Sequence, residues 1–151
     1  MALSTEQIKE LREKTGVSVA ECKKALEQAG GDMHKAMEIL SVRAVVAAGK
    51  KGDRALGAGT IASYIHNKGA VGALVRLSCE TDFVSKNEEF TALARDIAMH
   101  VSAMRPTSTE ELLAQSYIKD PSKTVGDLVN AAVHKFGERV VVSELACFAV
   151  V

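Results

Sequence analysis

Three cysteines and four histidines are the residues here best suited to nucleophilic or metal chemistry, and their spacing supports neither. Cys22, Cys79 and Cys147 are odd in number and irregularly placed, which fits no disulfide framework and no metal-ligand pattern. They read as buried small hydrophobes, with an intermolecular disulfide through Cys147 as the alternative. His34, His66, His100 and His134 are scattered, and His100 and Met99 have no second ligand at helical spacing, so no metal site is expected. Gly57-Ala58-Gly59 lacks the third glycine and the preceding strand of a dinucleotide-binding turn. Cys79 and Glu80 are neighbours, and neighbours in a strand face opposite ways. No pair of nucleophile and base emerges. The sequence reads as a binding protein without a cofactor rather than as an enzyme.

One residue has a different kind of chemistry to offer. Aromatics are scarce, with no Trp, two Tyr and four Phe, and Phe83 stands between Asp82 and Val84 in a turn. It either closes the core from a loop or stands exposed as a binding anchor held by rigid elements. Residue type leaves both open.

Composition narrows the partner. A length of 151 residues fits one domain, or one domain with a small appendage. Lys plus Arg and Asp plus Glu number 19 each, so the basic excess that holds nucleic acid is missing. No run approaches the ~20 apolar residues of a membrane span. The opening Met1-Ala2-Leu3-Ser4-Thr5-Glu6 is neither a signal nor an Arg-rich transit sequence, which makes the cytoplasm the expected location.

The elements that position these residues can be read from caps and periods. Residues 1–45 predict three short helices: Ser4-x-x-Gln7 and Ser18-x-x-Glu21 match the capping box, Gly16 and Gly30-Gly31 supply stops, and Asp32 caps the third. Residues 46–58, with a glycine-rich stretch and the basic Lys50, Lys51 and Arg54, read as a solvated linker. From 59 to 151 the pattern predicts an α+β domain. Alternation over Ile61–His66 and Val71–Cys79 around Asn67-Lys68-Gly69 is a hairpin with one face buried. Ser85-x-x-Glu88 reads as the cap of a long helix ended by Pro106, and Ser108-x-x-Glu111 as that of a short one. Pro121 and Thr124 open a helix that Gly137 stops, and the β-prone 140–151 returns to the hairpin. Three antiparallel strands with helices on one face follow. Both sheet edges then need covering or pairing, so self-association through the sheet is expected.

Cys79-Glu80-Thr81-Asp82-Phe83-Val84-Ser85-Lys86-Asn87 closely resembles the signature of the elongation factor Ts family, whose members promote nucleotide exchange on elongation factor Tu. Further stretches resemble it in family order: Leu11–Gly16, Cys22–Leu26 with Gly31-Asp32, Ala98–Val101 with Pro106, Pro121–Gly126, and Lys135–Glu138. The resemblance implies a ubiquitin-associated-like helical domain over 1–45 and the family's α+β core over 59–151. Where longer members insert a coiled-coil hairpin, between Met104 and Pro121, this chain has only a few residues, and a single core subdomain implies a homodimer. It also implies that Thr81, Asp82, Phe83 and Val84 push against the G domain of elongation factor Tu, beside its Mg²⁺ and phosphate elements. Arg12, Val19, Ala20 and Lys23 match N-terminal positions facing that G domain, with Val19 and Ala20 standing where methionines are frequent. His66, Phe136 and Gly137 match core positions that meet another surface of the partner. A reading of a different class is an adaptor whose three-helix domain binds a peptide or ubiquitin-like surface, which would leave Asp82 and Phe83 dispensable.

Overall fold

The computed structural model describes residues 2–151. Its first three helices are α1 (Thr5–Thr15), α2 (Val19–Gln28) and α3 (Met33–Lys50). Ser4 forms the full capping box: its hydroxyl accepts from the Gln7 amide at 3.1 Å and its amide donates to Gln7 Oε1 at 3.2 Å. Ser18 forms only half of one, because the Glu21 carboxylate is taken by Arg43 at 2.9 Å. Asp32 caps α3 through the Lys35 amide. Leu11, Val17, Cys22, Ala25, Leu26, Ala36 and Leu40 make a small separate core.

The expected linker is shorter than its glycines suggest. Residues 46–50 continue α3, and only 51–57 are irregular. Ala44 and Ala48 lie one turn apart below Leu40, so the buried stripe runs on, and Ala48 packs against the larger core. One helix therefore serves both cores.

The rest of the chain runs β1 (Ala58–His66), β2 (Val71–Cys79), α4 (Asp82–Ser85), α5 (Glu88–Met104), α6 (Thr109–Ala114), β3 (Ser116–Tyr117), β4 (Asp120–Thr124), α7 (Val125–Phe136) and β5 (Val141–Ala149). The main sheet has the order β1-β2-β5, antiparallel throughout, so the α+β expectation holds. Its inner face presents Ala73, Val75, Leu77 and Cys79 to Phe90, Ala94, Ile97 and Val101 of α5, and Val125, Val129 and Val133 of α7 belong to the same core. The helices cover one face only. On the other, Ile61, Ile65 and Leu74 stand exposed, with Phe148 beyond them on β5.

Three local expectations change. Ser85 does not cap the long helix; it is buried in the single turn of α4, and Asn87 caps α5 through the Glu89 amide at 2.8 Å. Ser108 does cap α6, but Glu111 closes on Thr107 instead of returning to Ser108. Pro121 lies in β4 of a β3–β4 ribbon that carries no alternating apolar signal, and α7 opens at Thr124 with a full capping box to Asp127. His100, weighed above as a ligand, is buried: its Nδ1 accepts from the Ile118 amide at 3.2 Å, so its Nε2 donates to Gln115 at 2.9 Å.

Candidate partner-binding site

β2 ends at Cys79, and the chain turns at once into the one-turn helix α4. Val84 is drawn into the core, which in a single turn forces its neighbour outward. Phe83 is accordingly 88% exposed, the least covered aromatic of the fold, and the reading in which it closes the core is overturned. Asp82 and Thr81 are exposed beside it.

An exposed Phe makes an anchor only if its support is rigid, and this one is tied on several sides. Ser85, Lys86 and Asn87 amides close back on Thr81, Asp82 and Val84 carbonyls at 3.0–3.2 Å. The Cys79 thiol donates to the Thr81 carbonyl at 3.3 Å. Burial, and then the nearby Glu138 carboxylate, raises that thiol above its ordinary pKa, so it stays protonated and able to donate. From across the fold, Glu138 Oε1 accepts from the Glu80 and Thr81 amides at 3.1 and 3.0 Å, and Oε2 accepts from the Thr81 hydroxyl at 2.6 Å. Glu80 answers by accepting from the Arg139 amide at 2.5 Å and pairing with Arg54 at 3.6 Å. The Glu138 and Arg139 contacts join residues nearly sixty positions apart, so no local pattern could have pointed to them.

Gly137 sets up that contact. It ends α7 in the left-handed region at φ 70°, which turns the chain so that Glu138 faces Thr81. Phe136 beside it is half-buried, edge-on to Phe90 with centroids 6.0 Å apart. Two of the three core positions named from sequence thus adjoin the tip. The third does not: β1 and β2 pair from Ala58↔Cys79 to His66↔Val71, so roughly 26 Å of strand separates His66 from it. His66 is exposed at that far end, stacked on Tyr64.

Arg12 lines a cleft of about 730 Å³ between α1 and the core, together with Asn87, Glu89, Lys135 and Phe136. The cleft opens at the start of α5, a few residues from Phe83. Lys135 crosses it, paired with Glu89 and 5.7 Å from the centre of the Phe136 ring. The Lys135 side chain passes over Gly16, whose φ of 69° is the left-handed conformation that favours glycine at this turn. Val19, Ala20 and Lys23 are exposed and share one side of α2. Among the described residues, no group of three or more His, Cys, Asp or Glu is placed to hold a metal, and no helix is long and apolar enough to cross a membrane.

The family model described as Elongation factor TS matches residues 2–107 and 80–150, which together take in nearly the whole chain. The chain belongs to the elongation factor Ts family. Among similar proteins, Elongation factor Ts of Leptospira biflexa is 36% identical over 195 residues, covering 99% of this chain and 98% of the relative. That of Desulforamulus reducens is 41% identical, covering 91% and 84%, and that of Thermosipho melanesiensis 41%, covering 90% and 77%. The 195-residue alignment exceeds this chain's 151 residues, so the Leptospira elongation factor Ts carries segments that this one lacks. Membership in this family makes the chain a translation elongation factor and not an enzyme.

Proposed function

We propose that this chain binds elongation factor Tu carrying GDP and promotes GDP release by wedging the Asp82–Phe83 tip into the G domain, where it disturbs the Mg²⁺ and phosphate site. The observation that carries this is Phe83 itself, fully presented on a tip with tied backbone. An exchange factor must bind the nucleotide-free partner more tightly than the GDP form, since only differential affinity shifts an equilibrium. GDP then weakens the factor by the same ratio. A Phe entering a pocket buries about 150–250 Å². At ~25 cal/mol per Å² that is roughly 4–6 kcal/mol before ordering costs, and each ~1.4 kcal/mol is tenfold in rate. A single side chain is therefore enough to speed release by orders of magnitude.

Arg12, Val19, Ala20 and Lys23 provide a second contact with the same G domain, and Thr81 and Val84 shape the tip. Phe136 and Gly137 adjoin the tip, whereas His66 meets a separate surface of the partner. The chain works as a homodimer through the uncovered sheet face, where Ile61, Ile65 and Phe148 are 69%, 67% and 76% exposed. The test is release of fluorescent GDP from elongation factor Tu with catalytic amounts of wild type or Phe83→Ala. Wild type should accelerate release strongly. Phe83→Ala should keep its helical circular dichroism and lose at least tenfold of that acceleration, and wild-type exchange by this variant overturns the wedge.

A further inference from the structure

We infer that Glu138 and Glu80 are positioning residues for the Asp82–Phe83 tip, two carboxylates that clamp the end of β2 and the turn after α7 onto each other in both directions. The inference rests on the wedge reading above. Glu138 accepts three hydrogen bonds from one side of the contact, the Glu80 and Thr81 amides and the Thr81 hydroxyl. Glu80 accepts the Arg139 amide from the other side and pairs with Arg54, whose carbonyl in turn accepts from Arg139 Nη1 at 2.8 Å. Hydrogen bonds to an ionised acceptor are roughly twice as strong as neutral ones, and a carboxylate shared by three donors fixes their relative geometry.

The clamp grips the two residues that lead directly into Asp82. Thr81 is exposed and Glu138 only half-buried, so the clamp adds little to the core. What it fixes is direction. α4 has one turn and cannot hold its own orientation, because isolated helical turns are unstable. Without Glu138, the Cys79 thiol bond and the burial of Val84 and Ser85 would still hold the base of the tip, but its direction would spread about the end of β2. Only the fraction of molecules with the tip correctly aimed can engage, and apparent affinity falls in proportion to that fraction. A tip spread over about ten orientations would lose about tenfold in exchange efficiency.

A double-mutant cycle separates aiming from stability. Glu138→Ala should lower stimulated GDP release about tenfold in the wild-type background and by less than about twofold in the Phe83→Ala background, where no aromatic is left to aim. Glu138→Gln should recover most of the rate, since its carbonyl still accepts both amides and its NH₂ faces the Thr81 hydroxyl oxygen. In the free protein, amide hydrogen exchange at Glu80, Thr81 and Arg139 should speed up in Glu138→Ala while core amides of β2 stay protected. Thr81→Val, which removes only the hydroxyl bond, gives the same test with a milder change should Glu138→Ala fail to fold. Equal losses in both backgrounds, or unchanged exchange of the three amides, overturn the clamp. Slow release by Phe83→Ala beside wild-type release by Glu138→Ala also overturns the clamp and leaves the wedge standing. Wild-type release by Phe83→Ala overturns the wedge, while the amide measurement still decides whether Glu138 orders the tip.

Discussion

Cys79 lies under the tip with its thiol committed to the Thr81 carbonyl, and Cys22 is equally buried in the smaller core. Burial raises both above the ordinary thiol pKa, so the fold favours the protonated form. The sign follows: their contribution to stability is complete below the unfolded thiol pKa, roughly 8.5, and is lost as the pH rises from there through the raised folded values. Urea midpoints measured from pH 7.5 to 10 should therefore fall with pH, and Cys22→Ala/Cys79→Ala should flatten the fall. A thiol reagent at pH 8 should label Cys147 first, because it alone is half-buried, and reach the other two only on unfolding. Cys147 faces the helix side of β5, packed against the main core, and not the open sheet face. At this scale the sequence exposed the anchor and hid its support. Phe83 was visible as a scarce aromatic in a turn, whereas Glu138 lay in a stretch that resembles the family but carried no sign of its contact with Thr81 until the fold brought the two together.

Elements were legible where the signal is local and repeated. The stripes of α5 and α7 and the alternation of β1 and β2 are packed as their periods require, because burial of one face dominates their energetics. Caps were less secure. Ser85-x-x-Glu88 has the right spelling, yet Val84 and Ser85 are pulled into the core and the helix starts later, at Asn87. Tertiary packing outweighed a bond worth about 1 kcal/mol. The β3–β4 ribbon, with strands of two and five residues, offers no period to detect. Thr124 is the cap with most at stake, since α7 carries Gly137 and Glu138 at its far end. Thr124→Ala should cost about 1 kcal/mol and lower Tm by roughly 2–4 °C, read by thermal circular dichroism. Exchange activity should be unchanged at temperatures well below that Tm.

For the whole molecule, the sheet is the unfinished part. It has helices on one side and an apolar row of Ile61, Ile65, Leu74 and Phe148 on the other, a surface that monomers rarely leave to water. The proposed homodimer predicts that sedimentation at micromolar concentration gives twice the chain mass, and that Ile65→Glu/Phe148→Glu gives the chain mass with the fold intact. A monomeric wild type at that concentration counts against it. The three-strand count pointed to two sheet edges, but neither to the open apolar face nor to α3 crossing from one core to the other. That crossing has a thermodynamic consequence. A helical module on a floppy tether would have to give up its freedom of orientation each time both contacts with a partner formed. With α3 as a strut, that freedom is reduced in the unbound chain, so under the proposed two-contact binding the second contact would close at high effective concentration once the first had formed. Two glycines inserted after Ala47 should then weaken binding without touching a single residue of either contact surface.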